Sequence, residues 1–267
     1  MIVGILSDFG LHDSYVAQMK AVILSKNPST TIVDISHEIE KYDILQGMFV
    51  LASATPYFPS GTIYLGVVDP GVGGSRKSLL METKKSKFVG PDNGLLVLAA
   101  EKEGIRNVYE LDKSRYPINK ISSTFHGRDV FASAVGDIAS GISALKIASK
   151  IAKYVKPMIA KPKIQSNQID AKVLHIDHFG NIVTNISQDF LHRYQIAFGC
   201  KLKIKINEFT KKLDFCKTYS DVTSGQLLVT IGGHGYLELA INQGNAAEYL
   251  NLKTEDNLLL QIVGLSV

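Results

Sequence analysis

Ile2-Val3-Gly4-Ile5-Leu6-Ser7-Asp8-Phe9-Gly10 begins with a short apolar run and ends in a hydroxyl, a carboxylate and a glycine. Apolar runs bounded by turn residues mark strands. The next stretch, Ser14 to Ser25, has apolar residues at helical spacing. It stops at Asn27-Pro28, where proline cannot continue a helix. Thr31 to Ile35 is β-branched and strand-like. A strand, a helix and a strand in this order predict a layered α/β domain. The opening residues lack a basic segment and reach Asp8 at once, so they read as a first strand and not as a signal peptide.

The alternation continues outward from this segment. Asp43 to Thr55 is helix-like and ends before Pro56. Thr62 to Val68 is a buried strand ended by Asp69-Pro70-Gly71. Ser78 to Glu82 and Lys87 to Val89 are short strands, and Gly94 to Glu101 is helix-like. Asp129 to Ile138 is a strongly apolar helix closed by Ser140-Gly141. Residues 1–155 are therefore expected to form an α/β domain with a largely parallel sheet. Lys156-Pro157 to Pro162-Lys163 has two prolines, three lysines and little periodicity, which predicts a linker over 156–168. Beyond it, Lys172–Ile176, Lys201–Ile206, Gln226–Ile231, Tyr236–Ile241 and Asn257–Val263 are short strand-like runs without a long helix between them. They predict a smaller all-β, barrel-like domain over 169–267.

Composition excludes several classes. The chain has 267 residues, 45% hydrophobic and 20% charged, which is globular composition. Its longest apolar stretch, Val130 to Ile142, is interrupted by Gly136, Asp137 and Gly141, far short of the ~18 apolar residues a membrane span needs. Two cysteines, Cys200 and Cys216, make no disulfide framework and predict reduced packing residues in a cytoplasmic protein. The net charge is only +4. Lys201, Lys203 and Lys205 alternate with Leu202, Ile204 and Ile206, as on one solvated strand face. Aromatic interleaving is absent and acidic residues dilute the field, so nucleic acid is not an expected partner, and without an apolar span neither is a membrane.

Carboxylates and glycines collect where the predicted strands end, and ligands of open α/β sheets bind outside those ends. Asp8 follows the first strand, with Asp13, Ser14 and Tyr15 at the start of the next helix. Asp69-Pro70-Gly71-Val72-Gly73-Gly74-Ser75-Arg76 follows Val68. Phe125-His126-Gly127-Arg128-Asp129 precedes the apolar helix. Each has a plain structural alternative as a cap or a tight turn. The glycine run fits neither a phosphate loop nor a dinucleotide fingerprint. No metal-ligand spacing and no Gly-x-Ser-x-Gly elbow occurs.

These segments, in this order, carry a family resemblance. Ser7-Asp8-Phe9-Gly10 with Asp13-Ser14-Tyr15, Val67-Val68-Asp69-Pro70-Gly71-Val72-Gly73, Gly90-Pro91-Asp92-Asn93-Gly94, Phe125-His126-Gly127-Arg128-Asp129, Asp177-His178-Phe179-Gly180-Asn181, and Gly235-Tyr236-Leu237-Glu238 with Asn242-Gln243-Gly244-Asn245-Ala246 resemble the S-adenosyl-L-methionine (SAM) hydroxide adenosyltransferases. These SAM hydrolases are related to the nucleophilic fluorinase and chlorinase. The resemblance runs from about residue 2 to residue 263. It implies cleavage of the C5′–S bond of SAM by a water-derived nucleophile, giving adenosine and L-methionine, with SAM as substrate and no cofactor or metal. It implies a catalytic trio at Asp69, Arg76 and His126. It places Asp8 on the ribose hydroxyls and Asp13, Ser14, Tyr15 and Tyr42 on the pocket wall; Tyr42 stands where the halogenases have tryptophan. Asp177 falls on the ammonium-binding aspartate, Asn181 near the adenine, and Gly233, Glu238 and Ile241 at the adenine end. Gly233 departs from the serine common in the family. The family also implies a homotrimer with each site between neighbouring subunits.

Three alternatives compete. A halogenase would use chloride or fluoride, but the related halogenases have tyrosine and threonine around Asp69 and Val72, and a carboxylate at Asp69 repels a halide. A non-catalytic SAM or adenosine binder needs no water-activating trio. A basic nucleic-acid-binding barrel leaves the strand-end carboxylates unexplained and predicts strongly salt-dependent affinity.

Overall fold

Alternation inside β1 (Ile2–Ser7) sends Val3 and Ile5 into one core and Leu6 into another, so both faces of this strand are covered. The structure, a computed structural model, describes residues 1–116, 122–206 and 208–263. The chain divides into two compact units, Met1–Pro157 and Met158–Val267.

In the first unit α1 (Tyr15–Lys26) leads from β1 to β2 (Thr31–Ser36), and α2 (Ile44–Ala54) leads to β3 (Ile63–Val67). Asp43 caps α2, its carboxylate accepting from Gln46 N at 2.9 Å. β4 (Ser78–Thr83) and β5 (Lys87–Pro91) follow, then α3 (Val97–Glu103), β6 (Ile105–Leu111) and β7 (Ala148–Lys150). The sheet order is β2-β1-β3-β5-β4-β6-β7. β1 pairs in parallel with both β2 and β3, and β3 with β5. The β5–β4, β4–β6 and β6–β7 pairs are antiparallel. The expected largely parallel sheet is thus parallel in one half only. The reason is local: Lys84 to Ser86 joins β4 to β5 in a tight turn, and a parallel pair needs a crossover of a dozen residues.

Residues from α1 and from α4 (Ser133–Ala139) fill the core on one face of the sheet, including Met19, Ile23, Val135 and Ile138. Residues from α2 and α3, including Leu51, Ala52 and Ala99, fill the other. The expected apolar helix begins as a π-helical turn, Gly127–Ala132, before α4. The chain leaves β1 toward β2 on one side and returns to β3 on the other. That makes the carboxyl ends of β1 and β3 a topological switch point. Ser7 and Val67 are register partners there, so Asp8 and Asp69 leave the sheet at the same edge.

The second unit contains β8 (Lys163–Gln165), β9 (Gln168–Ile176), β10 (Ile182–Ser187), α5 (Gln188–Arg193), β11 (Lys201–Ile206), β12 (Phe209–Asp214), β13 (Leu227–Ile231), β14 (Tyr236–Ile241), α6 (Ala246–Leu250) and β15 (Asn257–Val263). All these strands pair antiparallel, in the order β12-β11-β15-β9-β10-β14-β13. A bridge from Phe215 to Val229 draws the two ends together into a nearly closed barrel around Val173, Ile204, Leu239 and Leu260. Leu202, Ile204 and Ile206 face this core while Lys201 and Lys205 are exposed, as the alternation predicts. Cys200 and Cys216 are free thiols. The last four residues of the expected second domain lie outside the described residues. Among the described residues no helix is long and apolar enough to cross a membrane.

Candidate active site

Asp69 starts the loop that follows β3, and Arg76 ends it. The loop folds back over Pro70 to Ser75 through bonds from Val72 N to Asp69 O and from Gly74 N to Gly71 O. Gly73 has φ +78°, and a Cβ there would stand 2.6 Å from the carbonyl oxygen of Ser123, so only glycine fits. The fold-back brings the two side chains together. Arg76 Nε donates to both carboxylate oxygens of Asp69, at 3.0 and 3.1 Å, and Nη2 also donates to Oδ2. Side-chain exposure is only 6% for Asp69 and 11% for Arg76, so the pair is held against little competing water.

Arg76 reaches further. Its Nη1 donates to Ser78 Oγ at 3.0 Å, its guanidinium lies 5.1 Å from the centre of the Phe131 ring, and Nη2 stands 3.0 Å from His126 Nδ1. His126 is buried and immediately precedes the π-helical turn, a feature common at functional sites. Burial holds its pKa below the ordinary 6.5, and the charges of Arg76 and Lys113 push the same way against the weaker pull of Asp69 and Asp129. The ring is therefore neutral near pH 7. Because Nδ1 accepts from Arg76, the ring proton sits on Nε2. The three residues proposed from sequence thus form one hydrogen-bonded chain, with Arg76 in the middle.

Asp8 lies at the same sheet edge. Its Oδ2 accepts from the backbone N–H of Tyr42 at 2.9 Å. Tyr42 has φ +69° and a side chain that is largely exposed. Tyr15 packs on Phe9 and edge-on against Phe125, with ring centres 5.6 and 5.1 Å apart. This aromatic trio joins the loop of Asp8 to the loop of His126. Ser14 accepts from Gln18 Nε2 at 2.8 Å and Asp13 is exposed; neither is hydrogen-bonded to Asp8 or to the Arg76 chain. Sequence reasoning missed the role of Asn93, whose Nδ2 donates to Val68 O at 2.7 Å and pins the end of β3 beside Asp69. It also missed Lys113, whose charge acts on His126.

In the second unit the structure makes two groups. Asp177 closes the turn between β9 and β10: Oδ1 accepts from Phe179 N and Asn181 N, and Oδ2 from Asn181 Nδ2, each at 2.9 Å. Asp177 and Asn181 are therefore one unit. Glu238 on β14 is 2% exposed; Oε1 accepts from Tyr219 OH at 2.8 Å, and Oε2 lies 3.2 Å from His234 Nε2. Burial first, then Glu238 and Asp177, raise the pKa of Tyr219, so its hydroxyl keeps its proton. Tyr219 and His234 had no signal in the sequence: Tyr219 lies 19 residues from its partner Glu238, and His234 sits in the turn before β14, outside the alternating strand pattern. Gly233 faces open space, and Ile241 packs on the barrel core. Among the described residues no group of three or more His, Cys, Asp or Glu could hold a metal ion.

The charged chain stands at the carboxyl ends of the α/β sheet's strands, the place where open α/β sheets bind their ligands. The chain belongs to the SAM hydroxide adenosyltransferase family: the model of its N-terminal domain matches residues 3–148, and that of its C-terminal domain residues 171–259. A Methanocaldococcus jannaschii protein named (R)-S-adenosyl-L-methionine hydrolase is 37% identical over 265 residues, covering 96% of this chain and 94% of that protein. A fluorinase from an Actinoplanes species is more distant, 26% identical over 281 residues with 94% of each chain covered. The crystal structure of an uncharacterized conserved protein from Thermotoga maritima superimposes with a TM-score of 0.92 at 35% identity, covering 97% of this chain and 99% of that one.

Proposed function

We propose that the protein hydrolyses SAM at its C5′–S bond. Water supplies the oxygen, the C–S electron pair leaves with sulfur, and the products are adenosine, L-methionine and one proton. The observation that carries this is the bond from Arg76 to both Asp69 and His126. The 37% identical relative named as a hydrolase of (R)-SAM supports the same substrate.

The leaving group is a sulfonium that departs as a neutral thioether, so no acid need protonate it. The demand falls on the nucleophile, which must be in line with C5′ and stripped of bulk water. Asp69 keeps carboxylate lone pairs beyond those Arg76 uses, and it accepts the proton of the attacking water. Arg76 stabilises the hydroxide-like charge that develops. Neutral His126, with its proton on Nε2, donates to the water oxygen and orients it. Arg76 thereby divides the labour: the base is Asp69 and the orienting donor is His126.

Asp8 holds the ribose diol, as a carboxylate accepts well from two adjacent hydroxyls. Asp13, Ser14, Tyr15 and Tyr42 line the pocket. Asp177 takes the ammonium group, and Asn181, Gly233, Glu238 and Ile241 lie toward the adenine. No cofactor or metal is required by this chemistry. The family supports a cytoplasmic homotrimer with its sites between subunits. A carboxylate at Asp69 repels a halide, which favours water over chloride. The test is to incubate the purified protein with SAM, with and without high chloride, and to separate the products. Adenosine plus methionine in both is the expected result; a halogenated nucleoside or bound, unchanged SAM would overturn the proposal.

A further inference from the structure

The buried end of β1 holds a second hydrogen-bonded chain that the hydrolysis does not use. Ser7 Oγ and His37 Nδ1 are 2.7 Å apart, His37 Nε2 is 3.1 Å from Asp34 Oδ1, and Lys20 Nζ donates to Asp34 Oδ2 at 2.6 Å. In the neutral ring Nε2–H donates to the carboxylate, which leaves Nδ1 to accept the Ser7 hydroxyl. Burial works against the Asp34 carboxylate, yet the hydrogen bonds from Lys20 and His37 hold its pKa below the ordinary value. The order Ser–His–Asp is that of a hydrolytic triad. Ser7 is fully buried, however, and a nucleophile without exposure meets no substrate.

What the chain touches is the loop that carries Asp8. Phe9 N lies 3.4 Å from Ser7 Oγ, and Gly10 N donates to the carbonyl oxygen of His37 at 2.8 Å. His37, only 4% exposed, thus grips the residue before Asp8 through its ring and the second residue after it through its backbone. Asp8 Oδ2 is taken by Tyr42 N, while Oδ1 has no donor among the described residues.

We propose that His37 is a positioning residue for substrate binding. The Asp34–His37–Ser7 chain fixes the exit loop of β1 so that the Asp8 carboxylate stands preset for a vicinal diol. The inference rests on the assignment of Asp8 to the ribose. A preset acceptor spares the ordering cost that a loose loop charges on binding.

The test is calorimetry of adenosine binding to the full chain, with Asp8→Ala, His37→Ala and the double variant, together with SAM kinetics. His37→Ala is expected to weaken adenosine binding about tenfold, the scale of a single lost hydrogen bond. It should raise KM with kcat kept within about twofold, as loss of uniform binding does. The double variant should bind no more weakly than Asp8→Ala alone, because His37 acts only through Asp8. His37→Asn, whose amide oxygen can accept the Ser7 hydroxyl, should recover most of the affinity. An equal loss from His37→Ala with and without Asp8, or no loss where Asp8→Ala shows one, would overturn the inference and leave the ribose assignment standing. Unchanged affinity in Asp8→Ala alone would remove that assignment and the inference with it. Should His37→Ala fail to fold, Ser7→Ala against His37→Asn makes the same comparison: Ser7→Ala must weaken binding only while Asp8 is present.

Discussion

Arg76 Nη2 and His126 Nδ1 meet at 3.0 Å, and the same guanidinium grips both oxygens of Asp69. Burial first, and then the charge of this guanidinium, holds the pKa of His126 down, while the same cation pairs with the Asp69 carboxylate.

The first consequence is a pH profile. Protonating His126 sets an N–H against the N–H of Arg76, and burial with two nearby cations lowers the pKa that governs this step. Activity should hold as pH falls to 6.5, the ordinary imidazole value, and fail only below it. Stability follows the same sign. An unfolded chain binds the His126 proton at the ordinary value and the folded chain only at a lower one, so acid favours unfolding across that window. A kcat profile with an acid limb centred at or above 6.5 would contradict the assignment.

Arg76→Lys retains charge but loses the planar fork, so it cannot hold Asp69 and His126 at once. Asp69→Asn keeps shape but cannot accept a proton. Each should lower the single-turnover rate at saturating SAM by about 10²-fold or more, the scale of a lost base or charge-stabilising donor. Both should still bind SAM. The double variant should be little slower than the poorer single one, because groups that serve one water act as a unit. Fully additive losses, or a near-normal rate in either single variant, would show that the water is activated elsewhere.

Gly232 and Gly233 are adjacent but should respond oppositely to substitution. A Cβ on Gly232 would stand 2.4 Å from Glu238 Oε2 and from His234 Nε2, whereas one on Gly233 meets nothing within 4 Å. Gly232→Ala should cost about 1–3 kcal/mol, as overpacking does, and Gly233→Ser should be nearly neutral. Denaturant unfolding of the two variants reads this directly; equal midpoints would place the Glu238 cluster wrongly.

Turnover should survive exhaustive chelation, since a sulfonium leaves without electrophilic help. Loss of activity in EDTA that a particular divalent ion restores would require a different route.

Much of this architecture was legible in local pattern. β1, α1 and β2 announced themselves by apolar run, helical spacing and β-branching, and Asp8 and Asp69 by ending apolar runs. Strand direction was not, because Ser78–Glu82 and Lys87–Val89 look alike whichever way they pair; the short turn at Lys84 to Ser86 decides it. β6 and β12 escaped notice because arginine, asparagine and lysine dilute their alternation. The union of Asp69 with His126 was out of reach of spacing, since 50 residues separate His126 from the Arg76 that joins them. The chain Asp34–His37–Ser7 was invisible for the same reason: 30 residues separate Ser7 from His37.

The most direct measurement is of where the new oxygen of adenosine comes from. Single turnover of SAM in ¹⁸O-enriched water, followed by mass spectrometry of the nucleoside, should place one heavy oxygen at C5′ of adenosine in the wild type and yield almost no nucleoside with Asp69→Asn. Adenosine without the label, a 5′-halogenated nucleoside, or labelled adenosine formed at the wild-type rate by Asp69→Asn would contradict water activation at Asp69, Arg76 and His126.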